Sequence, residues 1–180
     1  MARTPPSLER VTPQSGLTLV EACIAVSITA VLASLAAPSF NDVLANQRTR
    51  TVSHLLTAQL ASARSTAVTR RIPVTVCPTI DGLACSGSAN WSHGWMMYLD
   101  SKSQPQPAHP GDVLRYDQQA GKNVSVSTST GRTLIRFQPN GKSSGSNATF
   151  KICHQARHHA SIIINNVGRV RTERQSSADC

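Results

Sequence analysis

The chemistry-bearing side chains are densest in ten residues near the C-terminus, Asn165-Asn166-Val167-Gly168-Arg169-Val170-Arg171-Thr172-Glu173-Arg174. Gly168 permits a turn with positive φ. Arg169 and Arg171 flank Val170, so an extended chain projects both from one face. Planar guanidinium groups grip phosphate oxygens through paired hydrogen bonds. The expected chemistry is contact with a phosphate backbone, with Arg174 as a further member. Arg157, His158, His159 and Lys142 join the set on charge alone. The bland alternative is a solubilising tail.

Nothing comparable points to catalysis. The sequence holds no G-x-S-x-G, no P-loop and no H-E-x-x-H. Asp100 and Asp112 read as turn formers at strand ends, and the stretch from Gln155 to Ala160 as an exposed hairpin loop. No catalytic residue, cofactor or metal is expected, and the chain is not read as an enzyme.

Cysteine is the next reactive type. Cys23 lies in an apolar run and reads as a small filler. Cys77, Cys85, Cys153 and Cys180 form an even set, which in an exported domain implies two disulfides with three possible pairings. The favoured pairing joins Cys77 to Cys85 around a short loop and leaves Cys153 to Cys180. That second bridge would hold a basic loop of 26 residues against the sheet and lower the ordering cost of binding. Zinc, with His154, His158 and His159 as extra ligands, is disfavoured because no C-x2–4-C pair is present.

The remaining notable acid is Glu21. It is the one charge in the 21-residue run from Leu17 to Ala37, which Pro38 follows. A helix of that length spans roughly 30 Å, the thickness of a bilayer core. A secretory signal would be shorter, and a plain membrane anchor would give Glu21 no role.

The polar leader with Arg3 and Arg10 ends in Gly16, and Leu17-Thr18-Leu19-Val20-Glu21 then opens the apolar helix. This resembles the class III signal of type IV pilins and type II secretion pseudopilins, with Leu17 where that family usually has Phe. The resemblance implies cleavage between Gly16 and Leu17 by a prepilin peptidase, and N-methylation of the new terminus. It makes Glu21 an assembly residue that meets the amino terminus of a neighbouring subunit. A carboxylate buried in a filament needs such a partner.

Further segments extend the likeness: Val76-Cys77-Pro78 with Asp81-Gly82 and Cys85, Trp91, Gly94-Trp95, Phe137-Gln138-Pro139-Asn140-Gly141, Ile152-Cys153 and Gly168-Arg169-Val170-Arg171. Together they resemble the FimT/GspH group of minor pilins and pseudopilins. The resemblance implies a minor type IV pilin, held in the bacterial inner membrane and then built into an extracellular or periplasmic filament with other major and minor pilins. It also implies that the G-R-x-R motif binds DNA during uptake for natural transformation. The alternative is a GspH-like pseudopilin with a structural role in type II secretion.

The elements that position these residues follow from periodicity. The expected division is a leader over 1–16, a membrane and assembly helix over 17–38, its amphipathic continuation over 39–71, and a β domain over 72–180. Phe40, Val43, Leu44, Val52, Leu55, Leu56, Ala63 and Ala67 recur at helical spacing and predict one apolar stripe, with a kink at Pro38. Arg48, Arg50 and Arg64 then belong to a solvated face. Seven short apolar or alternating runs follow, beginning at Val74, Trp95, Val113, Val124, Thr133, Thr149 and Ser161. One long helix and seven strands predict an α+β fold with antiparallel sheets packed on the helix, and the resemblance implies that this fold is type IV pilin-like.

The net charge is +9 and the pI about 10.1, which favours an anionic partner. The surplus sits on the long helix and in the last 42 residues, where six basic residues face two acids. Aromatic content of 4% argues against an extended base-stacking surface.

Overall fold

A computed structural model of the chain describes residues 16, 18–118, 121, 123–177 and 180. It divides into two units, residues 1–41 and 42–180. One helix, α1, runs Leu19–Arg70. Thr18 caps its start, since its Oγ1 accepts the Glu21 N–H at 3.3 Å. Leu19, Val20, Ile24, Val26, Ile28, Val31 and Leu32 are all exposed, so the first turns are apolar around the axis rather than on one stripe. Among the described residues no helix is long and apolar enough to cross a membrane. The described side chains of the expected span, Leu19–Ser34, fall short of the ~20 residues a bilayer core needs. Leu17 and the Pro38 side chain lie outside the described residues.

From Asp42 onward the helix is amphipathic, and of the expected stripe Val52, Leu56, Ala63 and Ala67 are buried. Its buried residues are Ala45, Thr49, Val52, Ser53, Leu56, Gln59, Leu60, Ala63 and Ala67. Val43, Leu44 and Leu55 are exposed, as is Phe40 in the first unit. Leu55 lies about 100° around the axis from Leu56 and falls outside the buried arc, whereas Leu60, four residues from Leu56, falls within it.

Eight strands follow: β1 Val74–Pro78, β2 Gly94–Leu99, β3 Val113–Gln118, β4 Val124–Thr128, β5 Ile135–Phe137, β6 Ala148–His154, β7 Arg157–Ile164 and β8 Val170–Ser177. They form two antiparallel four-stranded sheets in the orders β3-β2-β1-β5 and β4-β6-β7-β8. The fold is α+β with antiparallel sheets packed on the helix, as the residue pattern predicts.

Both sheets turn one face to α1. Val52, Leu56, Leu60, Ala63 and Ala67 pack with Val74, Val76, Trp95, Met97, Ile135 and Phe137 from the first sheet. Val126, Phe150, Ile152, Ile162 and Ile164 enter from the second. The central strands β1 and β2 are covered on both faces. On the far side Met96 and Tyr98 pack with the Cys77–Cys85 disulfide, Val113, Tyr116 and Leu134. The alternation of buried residues in β4 shows a strand covered on one face only.

A buried ion pair ties three strands of the first sheet. Arg136 Nε donates to Asp100 Oδ2 at 2.6 Å, and Thr75 Oγ1 donates to the same oxygen. Asp100 Oδ1 accepts from Gln104 N–H, and Arg136 Nη2 donates to Gln104 O. Asp100 thus has a fixed cationic partner, while Asp112 accepts the His109 N–H. The two aspartates serve separate structural ends.

Candidate functional site

The arginines belong to a hairpin, not to a loose tail. Sequence reading missed β8 because it holds one apolar residue, Val170, among polar neighbours, and so carries little apolar periodicity. It pairs with β7 as an edge strand through Ile164↔Val170, Ile163↔Arg171, Ile162↔Thr172, Ser161↔Glu173 and Ala160↔Arg174.

The turn between the strands is densely bonded. Gly168 N–H donates to Asn165 O at 2.9 Å, and Asn165 N–H donates to Arg169 O at 3.2 Å. The Asn165 side chain accepts the Arg169 N–H at 2.8 Å. Gly168 has φ +79°, in the left-handed region that L side chains rarely adopt.

A second turn, at Asn140-Gly141, packs against the first. Ser143 N–H donates to Asn166 O, and Asn166 N–H to Asn147 Oδ1. A Cβ on Gly168 would strike the Gly141 carbonyl oxygen. Two segments far apart in sequence, each quoted above for its likeness to one family, are therefore in contact. Lys142 follows Gly141 and is exposed beside the arginine turn.

Arg64 closes the group from the helix. Its Nε donates to Gly141 O at 2.9 Å and its Nη2 to Val167 O at 3.4 Å. The assignment of Arg64 to a purely solvated face is thus corrected. The side chain is exposed, but its guanidinium spans both turns. No sequence signal announces this, because an arginine among the polar positions of an amphipathic helix looks like any other.

Arg169 and Arg171 are both exposed, on either side of Val170, which packs on the core. Arg171 also makes an ion pair, Nη2 to Glu173 Oε1 at 3.3 Å, with both side chains half or more exposed. Such a pair is worth about 0–1 kcal/mol and exchanges readily for another anion. Among the described residues Arg169 has no ion pair. Thr172 points the other way and shares a 3.1 Å hydroxyl contact with Thr57 of α1. Arg174 shares the parity of Thr172, so it stands on the helix side of β8, away from Arg171.

Arg157 lies elsewhere. It opens β7 opposite His154, seven residues from Ile164 and therefore roughly 23 Å from the arginine turn. The stretch from Gln155 to Ala160 is not an exposed loop. Gln155 and Ala156, at φ +49° and +65°, make a two-residue hairpin turn, and the rest is strand. His158 is buried, with Nε2 3.0 Å from Ser161 Oγ. His159 has its pKa lowered by partial burial and by the neighbouring His154, Arg157 and His158. It is therefore a poor cation at neutral pH.

Both favoured disulfides are formed, Cys77–Cys85 and Cys153–Cys180, with Cα separations of 5.6 and 6.3 Å. Four thiols spent in this way are unavailable to zinc. The Cys153–Cys180 bridge sits at the Arg157 end of the hairpin, where Cys180 N–H also donates to Ala156 O. It fastens the end remote from the arginine turn.

Early in the sequence, Gly16 is exposed, with open space around it, and Glu21 is exposed in the first turn of α1. Leu17, the other half of the expected cleavage site, lies outside the described residues.

Relatives agree with this architecture. No curated protein matches the sequence. The type IV minor pilin FimU of Pseudomonas aeruginosa strain PAO1 is similar in structure in two crystal forms. The TM-scores are 0.59 and 0.55, at 20% and 21% identity, covering 74% and 73% of this chain and 96% and 98% of that one. The minor pseudopilin EpsH from the type 2 secretion system of Vibrio cholerae is similar at TM-score 0.51 and 8% identity, covering 71% of this chain and 97% of that one. These likenesses show the fold. Residues 53–168 match the family described as type II transport protein GspH. That match takes in the helix from Ser53 onward, both sheets up to β7, and the paired glycine turns, so the chain belongs to the GspH family and is not an enzyme.

Proposed function

We propose that the protein is a minor type IV pilin that binds extracellular DNA through Arg169 and Arg171, with Lys142 beside them, for uptake in natural transformation. The observation that carries this reading is the arginine turn itself. Its two exposed guanidiniums flank a core-packed valine on a turn held by its own hydrogen bonds, by the Gly141 turn and by α1. Preorganised cations lose little entropy on binding a phosphate backbone. Contact of this kind is independent of base sequence and weakens with salt, by roughly −0.9 in log–log slope per phosphate neutralised. Arg174 stands on the other face of β8 and adds charge to the helix side. Arg157, at the far end of the hairpin, is left out of the footprint.

In this reading the leader over 1–16 is removed between Gly16 and Leu17 by a prepilin peptidase, and the new terminus is methylated. Residues 17–38 hold the subunit in the inner membrane and then in the filament core. The all-round exposed apolar side chains of Leu19–Leu32 support that role, since such a helix needs lipid or protein on every side. Glu21, exposed in the first turn, is then the residue that meets the amino terminus of a neighbouring major or minor pilin.

The deciding experiment is a salt-titrated binding assay with duplex DNA, comparing the parent chain with Arg169→Ala/Arg171→Ala. Equal affinity in the two removes the arginine turn as the site. The family description favours a second reading, a pseudopilin of type II secretion whose contacts are other pseudopilins. Genomic neighbours of one kind or the other separate the two, and failure of the parent chain to bind any duplex supports the second.

A further inference from the structure

We propose that Arg64 is the positioning residue of the DNA-binding turn, acting by orientation and not by its own contact with phosphate. This rests on the DNA reading above and adds a residue from a distant element to it.

The geometry is a three-part lock. The Arg64 Nε–H is spent on Gly141 O at 2.9 Å and an Nη2–H on Val167 O at 3.4 Å. Both carbonyls belong to turns whose next residues lead into exposed cations: Gly141 precedes Lys142, and Val167-Gly168 precedes Arg169. The guanidinium also lies against both glycines. A Cβ on Gly168 would come within 3.0 Å of Arg64 Nε, and one on Gly141 within 3.4 Å. A side chain at Gly168 would crowd the clamp, whereas one at Gly141 would only touch it.

The clamp works because arginine is a planar fork with donors at fixed divergence. One rigid group can hold two acceptors from different turns. A lysine ammonium, a point donor on a flexible stem, can follow one carbonyl but does not fix two relative to each other. The helix supplies the rigidity behind it, since Ala63 and Ala67 on either side of Arg64 are fully buried. The position of the arginine turn is thereby referred to the core of the domain, not to the edge strand β8 alone.

The test uses the full chain in detergent micelles and two duplexes of unrelated sequence, with Arg64→Lys and Arg64→Gln. Amide hydrogen exchange is measured on the same proteins without DNA. Both variants are expected to lose about five- to thirtyfold in affinity, as two hydrogen bonds of modest to ordinary net strength would imply. Their salt slope should match the parent's, because no phosphate contact is lost. The Gly168 and Arg169 amides should exchange about tenfold faster in both, while core amides of β1 and β6 do not change. In the Arg169→Ala/Arg171→Ala background Arg64→Lys should cost no further affinity, as expected of a residue that acts through those two. Parent-like affinity in Arg64→Lys, or a slope reduced by about one in Arg64→Gln alone, overturns the proposal in favour of a direct charge contact. If the parent chain binds neither duplex, the DNA reading falls by itself. The exchange data then judge the clamp alone: faster exchange at Gly168 and Arg169 upholds it, and unchanged exchange overturns it.

Discussion

Gly168 and Gly141 meet so closely that the carbonyl oxygen of Gly141 occupies the place where a Gly168 side chain would begin. This contact joins the turn that carries Arg169 to the turn that carries Lys142. Gly168→Ala should therefore be costly twice over, through its φ of +79° and through the collision. We expect a loss of about 2–4 kcal/mol in denaturant unfolding, above the ~1–3 kcal/mol usual for backbone strain alone. An Ala at the nearby Gly145, where φ is also positive but the obstacle is the flexible end of Arg132, should cost less.

If Arg171 binds DNA as proposed, Glu173 competes for it, since the two side chains pair at 3.3 Å in an exposed position. Glu173→Gln should raise DNA affinity about two- to threefold without changing the melting temperature, because an exposed pair contributes only about 0–1 kcal/mol to folding. The change is opposite in sign to that of the arginine substitutions. A salt titration of binding reads both.

The Asp100–Arg136 pair makes a separate prediction about stability. The side chains are 2% and 16% exposed, so removing one partner strands a buried charge. Arg136→Met should cost about 3–5 kcal/mol, measured by urea unfolding. The double replacement Asp100→Leu/Arg136→Met should recover much of that loss. DNA binding by folded Arg136→Met should match the parent's, since the pair lies in the sheet that does not carry the arginine turn.

Tyr98 sets an alkaline limit. Burial pushes its hydroxyl up to about 12, and Asp100 adds to the shift. The folded state therefore keeps a proton that the unfolded chain releases near pH 10. Stability from this source is whole below pH 10 and is lost as pH rises from 10 to 12. Tyr98→Phe loses the hydrogen bond to Gln104 O and about 1 kcal/mol at neutral pH. Its unfolding free energy should then fall less steeply than the parent's across that alkaline window.

The Cys153–Cys180 bridge should matter more for stability than for binding. It closes 27 residues of chain, for which loop entropy gives about 3–4 kcal/mol. It fastens the Cys180 end of β8, whereas the arginine turn is held by Asn165, Gly141 and Arg64. Cys153→Ser/Cys180→Ser should lower the unfolding free energy by an amount of that order while changing DNA affinity less than twofold. A large loss of affinity in a folded double variant would mean that the bridge also orders the turn.

Much of this protein was legible from residue order alone. The family likeness, the α+β class, seven of the strands, the even set of four cysteines and the shared face of Arg169 and Arg171 rest on local signals. Those signals are apolar periodicity, cysteine parity, a glycine at a turn, and alternation along an extended chain, and each acts within a few residues. Tertiary structure decided everything that depends on which surfaces meet. It set the helix phase, burying Leu56 and Leu60 while Leu55 faces out. It made a strand of Val170–Ser177, whose single apolar residue gave no periodicity, by pairing its backbone with β7. It separated Arg157 from Arg169 by the length of a strand and moved Lys142 beside Arg169 from a distant turn. It also converted Arg64 from one more polar helix position into the group that spans both glycine turns. Hydrogen bonds between residues a hundred positions apart leave no trace in local spacing, because neither partner's neighbours need change to accommodate them.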